Sequence, residues 1–429
     1  MHFTFRQEPG VFTITAGLVD AHGDMRTGNR VQSDKTPLTL TETRVSFGLD
    51  IQNLDYDRLA LACCLLFLPF IGNKVSFSFP VSDVIPEFLH ANKRGAPGPE
   101  PVEVTTTVTG PRPENASPIT LATCGLALGG GFDAVAVKTL LPEVFSYHLV
   151  SAIIVNNVFH LPIYRFYADR DAIRLNDAPV CDQYIWTNAE NIASPRGVTT
   201  WATYAIPMLL AGADRGLNCI LSGTVFEGSF NENGRRYVEF RPGNRHDTIG
   251  RAFAALGLRI APAATMLPEY LNIKEVALHG LGDQVSFCIM GPNGGPCGRC
   301  LKCYRKRLLY EALKRETAIS IPQFEAMDIA RFDNPYIAKL CQVRPVYLAS
   351  SFKWLQDRVP ESLYLPSMAE AVAQVPPVRF DLGRYFPPGL DILPDTIASA
   401  MTERLSRRYQ PMSAEEIAAV RAWNCFAAA

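Results

Sequence analysis

Polar and apolar positions alternate with period two in two stretches near the N-terminus, Phe12-Thr-Ile-Thr and Lys74-Val-Ser-Phe-Ser-Phe, as in half-buried strands. Between them, Leu54 to Leu68 has the length of a helix and is apolar from Leu59 onward, which predicts a buried helix. The longest apolar run, Leu59 to Ile71, contains Pro69 and is too short to cross a bilayer. Residues 93 to 117 are rich in Pro and Gly around one β-rich piece, Val102 to Val108, and read as a linker or surface hairpin. From residue 118 the pattern changes. Leu121 to Leu128 is a short apolar run ending in glycines, Asp133 to Leu141 a helix, and Ser146 to Val155 a strand. Val198 to Gly212 then reads as a helix and Leu217 to Ser222 as a strand. Strands and helices in alternation predict an α/β fold with a parallel sheet. After residue 316 the helical segments are broken by prolines, with Trp354 and Trp423 among them. A chain of 429 residues exceeds one ordinary core. The expected organisation is an N-terminal α+β domain (1–110), a Rossmann-like central domain (118–316) and a mainly helical C-terminal region (317–429).

Composition narrows the class. With 48% hydrophobic and 19% charged residues the chain is globular rather than disordered. A net charge of −1 supplies no global basic field, which argues against nucleic acid as a partner and leaves only a local basic patch open. Met1 to Gly10 lacks the charged and apolar regions of a secretory signal. The eleven cysteines are odd in number and uneven in placement: four lie between Cys288 and Cys303, and others, such as Cys63, Cys64 and Cys219, sit in apolar surroundings. That usage points to a reducing cytoplasm with one metal site, not to a disulfide framework. The sequon Asn115-Ala116-Ser117 carries no meaning in that compartment.

Two local motifs carry chemistry. Cys288-x8-Cys297-x2-Cys300-x2-Cys303 offers four thiolates at spacings that can wrap one tetrahedral Zn²⁺, with Gly294, Gly295 and Gly298 for the turns. The trailing Arg299, Lys302, Arg305, Lys306 and Arg307 are expected to offset the charge of that centre. Four unrelated buried thiols and an iron–sulfur cluster are the alternatives. The site reads as closed, hence structural. The second motif is Gly129-Gly130-Gly131-Phe132-Asp133-Ala134, where an apolar strand gives way to a helix. Such a turn presents backbone N–H groups to a phosphate chain. It is also common for purely structural reasons, and Asp133 then serves as an N-cap.

Taken together, these motifs resemble the PP-loop ATP pyrophosphatases, and among them the 7-cyano-7-deazaguanine synthase branch. That branch has an SGGxDS loop after its first strand and ends in a C-x8-C-x2-C-x2-C knuckle followed by Arg. Here the knuckle matches throughout. Between loop and knuckle, Ser194-Pro195-Arg196, Ile220-Leu-Ser-Gly223-Thr-Val-Phe-Glu227 and Asn272-Ile-Lys274-Glu-Val stand where the family has its Pro-x-Arg-Asn, second glycine strand end and Lys-x-Glu-Ile segments. The likeness covers residues 118 to 316. It departs at the loop, where Gly129 and Ala134 replace the two serines, at the Pro-x-Arg-Asn segment, which loses its Asn with Gly197 nearby, and after Glu227, where an Asp-rich stretch is missing. Each lost hydroxyl costs about 1 kcal/mol of phosphate binding unless replaced. Lys274, Arg196 and Arg236 are the candidate replacements.

What the resemblance implies is an ATP-dependent ligase. ATP lies over Gly129, Gly130, Gly131, Phe132, Asp133 and Ala134; with Mg²⁺, a carboxylate or amide is adenylated and then attacked by a nitrogen or sulfur nucleophile, releasing AMP and pyrophosphate. Asp133, Lys274, Arg196 and Glu227 are the candidate catalytic residues. Cys288, Cys297, Cys300 and Cys303 are the metal ligands. The implied partners are ATP and a small-molecule or peptide substrate, with a homodimer also open and no membrane. His148, Cys124 and the pair Tyr184 and Trp186 are read as core, and Asp247 after His246 as a helix start. The rival readings are a catalytically degenerate nucleotide-binding or scaffold protein, favoured by the missing serines, and a tRNA-modifying enzyme of the same superfamily.

Overall fold

The computed structural model describes residues 1–17, 42–68, 71–92, 102–107, 109–110, 117–128, 131–151, 181–187, 200–240, 247–285, 287–288, 296–342 and 348–427. Its N-terminal part comprises β1 (His2–Glu8), β2 (Val11–Gly17), β3 (Glu42–Phe47), α1 (Tyr56–Phe67), β4 (Lys74–Phe77), α2 (Val84–Asn92) and β5 (Glu103–Thr105). β1, β2 and β3 pair antiparallel, and β4 and β5 add to β1 in parallel. The α1 helix begins where Asp55 accepts the N–H groups of Asp57 and Arg58, both at 3.1 Å. It is buried from Arg58 to Phe67, as its unbroken apolar sequence requires. The stretch expected to be a linker or hairpin contributes β5, a parallel edge strand of the sheet; residues 93–101, 108 and 111–116 lie outside the described residues.

The second part follows the alternation of the sequence: β6 (Cys124–Ala127), α3 (Phe132–Leu140), β7 (Phe145–Ser151), β8 (Gln183–Thr187), α4 (Thr200–Ala211), β9 (Cys219–Val225), α5 (Asp247–Ala255), β10 (Arg259–Ala264), α6 (Glu269–Leu278) and α7 (Leu301–Thr317). The five strands are all parallel, in the order β10-β9-β6-β7-β8. Numbered within this unit the order is 5-4-1-2-3, that of a doubly wound α/β sheet. β10 was not evident in the sequence because it reads Arg-Ile-Ala-Pro-Ala-Ala, with Ala and Pro where a strand signal needs β-branched residues. As an edge strand it tolerates Pro262, and its register shifts between Pro262 and Ala264. One antiparallel pair, Phe47 with Thr187, joins β8 to β3 and makes a single ten-stranded sheet.

Successive side chains of a strand point to opposite faces, and here the two faces carry two cores. Cys219 and Leu221 of β9, with Cys124, Leu126 and Leu128, pack into the core that includes α3, α6 and α7. Ile220 of β9, with Tyr147 and Ile185, packs into the other, shared with α1, α2, α4 and α5. The C-terminal helices are α8 (Pro335–Gln342), α9 (Ala349–Leu355), α10 (Pro366–Ala373), α11 (Asp395–Ser406) and α12 (Ala414–Ala422). Their core is not separate. Phe352, Met368, Ile397 and Leu405 belong to the cluster of Phe132 and Leu221, so the apolar core runs on across residue 316. Arg404 grips Glu143 with two bonds of 2.9 and 2.6 Å, and Phe386 N–H donates to Met266 O at 2.8 Å.

One glycine sets the closeness of helix and sheet. A Cβ on Gly223, at the end of β9, would lie 2.8 Å from Ala134 N and 3.0 Å from Asp133 C, in the first turn of α3. Both contacts are backbone, so neither can rotate away. Gly223→Ala is expected to lower stability by about 1–3 kcal/mol in urea unfolding. Gly250→Ala in α5, where a Cβ meets nothing, is expected to leave stability unchanged or raise it by up to ~1 kcal/mol.

Candidate functional site

In a doubly wound sheet, ligands bind outside the carboxyl ends of the strands where the strand order reverses. Here the reversal falls between β6 and β9. The chain leaving β6 is the glycine loop, and the chain leaving β9 runs directly into Glu227. Gly131 is the N-cap of α3. Phe132 and Asp133 are its first two residues, so Asp133 is not the cap that a structural reading of the loop expects.

Three acids meet two cations, Arg305 and Lys306, at this edge, and a third cation, Lys302, is close enough to act on Asp133. Glu227 is buried rather than a solvated loop acid, and both its oxygens accept the Glu269 N–H at 3.1 Å, capping the start of α6. Glu269 is buried between Arg305 and Lys306 of α7: Arg305 Nε lies 2.6 Å and Nη2 2.8 Å from its oxygens, and Lys306 Nζ 2.6 Å. The Lys306 ammonium also stands 4.9 Å from the centre of the Phe132 ring and 5.7 Å from that of Phe287, which ties it to the glycine-loop side. Asp133 completes the set; its Oδ1 is buried and finds no hydrogen-bond partner among the described residues.

Charge and burial set the protonation of each acid. For Glu269 burial opposes ionisation, but the charges of Arg305 and Lys306 outweigh it and hold the carboxyl well below the ordinary range. Burial, and then the negative charge of Glu269, push Glu227 up to about 8. Burial also raises Asp133, against the pull of Lys306. The edge therefore holds one firmly ionised carboxylate, one carboxyl that keeps its proton near neutrality, and one oxygen without a partner.

The cysteine motif lies at the start of α7. The sulfurs of Cys288, Cys297, Cys300 and Cys303 are all within 4.8 Å of one another, with Cys288–Cys300 at 3.9 Å and Cys297–Cys303 at 3.7 Å. A tetrahedral zinc with metal–sulfur bonds near 2.3 Å needs sulfur edges of ~3.8 Å, so the donor set fits zinc. A four-iron cluster interposes a cube of atoms and holds its thiolates farther apart. Gly298 makes the turn between Cys297 and Cys300 at φ +63°, and Cys300 caps α7 by accepting the Cys303 N–H at 3.4 Å. Three of the basic residues after the motif pair with acids. Arg305 and Lys306 neutralise Glu269, and Arg307 pairs with Glu311 one turn along.

The other sequence candidates fall in different places. Asp133, Glu227, Gly131, Phe132 and Ala134 gather at the strand reversal. Lys274 does not join them: it lies farther along α6, pairs with Glu316 at the end of α7, and sits 5.9 Å from the Tyr409 ring. Arg236 is exposed and pairs with Glu232. Gly129, Gly130, Arg196, Gly294, Gly295 and His246, and the side chains of His148, Trp186 and Asp247, lie outside the described residues. Cys124 is core, and Tyr184 is half-buried. Glu269 was missed. Its signal was an acid straight after Pro268 at a strand end, a pattern that also marks any helix start.

Fold and site thus define a parallel α/β protein with a four-cysteine centre beside the carboxyl edge of its sheet. In comparisons with known proteins, the model of a family of unknown function (DUF6395) matches residues 248–424. No curated protein matches the chain, and no solved structure does. The matched stretch holds β10, Glu269, the four cysteines and the C-terminal helices; it does not reach the glycine loop or Glu227. No helix among the described residues is long and apolar enough to cross a membrane.

Two outcomes are expected. Replacing Cys303 by Ser should cut bound zinc, measured by atomic emission, well below the roughly one equivalent of the wild type, and lower the melting temperature. The second concerns pH. Between the ordinary glutamate pKa and about 8 the folded protein keeps a proton on Glu227 that the unfolded chain has lost. That group therefore lowers stability as pH rises through this window. Glu227→Gln keeps an acceptor for the Glu269 N–H and cannot ionise, so its melting temperature should gain on the wild type as pH rises from the ordinary glutamate range to about 8, and the difference should level off above that. A difference independent of pH would contradict the assignment.

Proposed function

We propose that this protein binds ATP across the carboxyl ends of β6 and β9 and uses it, with Mg²⁺, to adenylate a carboxylate or amide. An oxygen of that group attacks the α-phosphorus and pyrophosphate leaves; a nitrogen or sulfur nucleophile then attacks the activated carbon and AMP leaves. The observation that carries this reading is the strand order, which reverses at the glycine loop. Three features support it. The amides at the start of α3 point toward the edge and carry the positive end of the helix dipole. Arg305 and Lys306 bring two positive charges close to where charge builds between α- and β-phosphates. The unpartnered Asp133 oxygen is a donor available to Mg²⁺ or its waters. The likeness to the PP-loop pyrophosphatases belongs to this proposal and rests on the loop and knuckle motifs. Zinc in the four-cysteine site is structural in this reading, fixing the first turn of α7.

Two observations favour a second reading, a nucleotide-binding scaffold without catalysis. Glu269 already neutralises Arg305 and Lys306, and no hydroxyl stands at 129 or 134. Calorimetric titration of the zinc-loaded protein with ATP and Mg²⁺ tests both. Saturable binding that Gly131→Asp abolishes is expected. Binding without AMP release in the presence of candidate acids and amines would favour the scaffold. No heat up to millimolar ATP would remove the nucleotide from both.

A further inference from the structure

The carboxyl edge contains an anion-gripping fork that is filled by a side chain of the protein itself. Arg305 presents Nε and Nη2 to the two oxygens of Glu269 at 2.6 and 2.8 Å, and Lys306 adds its ammonium to one of them at 2.6 Å. A guanidinium fork with an ammonium beside it is an arrangement that grips phosphate oxygens as well as carboxylates. The fork lies at the right place for such a ligand, since Lys306 stands over the ring of Phe132, the first residue of α3. Glu269 is the first residue of α6.

We infer that Glu269 is a resident stand-in for a ligand phosphate: a polyphosphate takes Arg305 and Lys306, and the Glu269 carboxylate leaves the fork. The inference rests on the nucleotide reading above and adds which cations grip the ligand and what they release to do so. It has an uncommon sign. If Glu269 served only to hold two helices together, removing its charge would strip two buried cations of their carboxylate and weaken everything nearby. As a stand-in, its removal frees the fork and strengthens anion binding.

The test uses the full-length, zinc-loaded protein and inorganic pyrophosphate in a calorimeter. Glu269→Gln is expected to bind pyrophosphate roughly tenfold or more tightly than the wild type. Adding Lys306→Met to that variant should abolish the gain. Glu269→Asp keeps the charge but is too short to reach both cations; it should shift affinity in the same direction and serves if the glutamine variant loses cooperative melting. Unchanged or weaker pyrophosphate binding in the folded variants overturns the inference. ATP titrated into the same proteins separates it from the reading beneath it. Pyrophosphate gained without ATP binding in any variant keeps the fork and removes the nucleotide. ATP bound by the wild type without a gain in the Glu269 variants keeps the nucleotide and removes the fork.

Discussion

A carboxylate taken out of water must have its counter-charges in fixed positions, and the Glu269 carboxylate has Arg305 and Lys306. Such a buried triad adds little net stability over apolar packing, but losing one member costs about 3–5 kcal/mol because a charge is left alone. Its effect is therefore one of placement. It fixes α7 against the start of α6, which leaves β10, and through Lys306 and Phe132 it reaches the start of α3, which leaves β6. Glu227 at the end of β9 closes the set by accepting the N–H of Glu269. Three adjacent strand ends are thus joined by one ion cluster.

The four-cysteine site bears on the same point from the other side. Its sulfurs approach as closely as one metal ion requires, and its third member caps α7. The residues that set the charge of the carboxyl edge follow within the next two turns. The four-cysteine site and the strand edge are therefore joined by a short length of helix. The C-terminal helices close over the same face of the sheet and share its core, as Arg404 with Glu143 and Tyr409 with Glu275 illustrate. The stretch matched by the family of unknown function spans these parts together.

Local periodicity made many elements legible. The helix at Tyr56–Phe67, the strands at Cys124–Ala127 and Cys219–Val225 and the helix at Phe132–Leu140 lie where the apolar runs and glycines put them. What was not legible has physical causes. β10 carries Ala and Pro where a strand signal needs β-branched residues, and its edge position is what allows them. Val102 to Val108 read as β-rich, but its place did not: it pairs in parallel with β4 instead of forming a linker or hairpin. Lys274 satisfied a motif, but helix geometry turns it toward Glu316, away from the strand ends.

The sequence by itself determined the four-cysteine cluster, because neighbouring cysteines with two to eight residues between them can converge with little help from the rest of the chain. It also determined the α/β class, since a period of two and a period near 3.6 are written locally. The tertiary structure alone decided which charges meet. Glu227, Glu269 and Arg305 are separated by dozens of residues, and only the parallel pairing of β9 with β10 and the packing of α7 on α6 bring them to one edge. It decided their protonation as well, because a carboxyl's pKa follows its burial and its neighbours, and neither is a property of the residue in sequence.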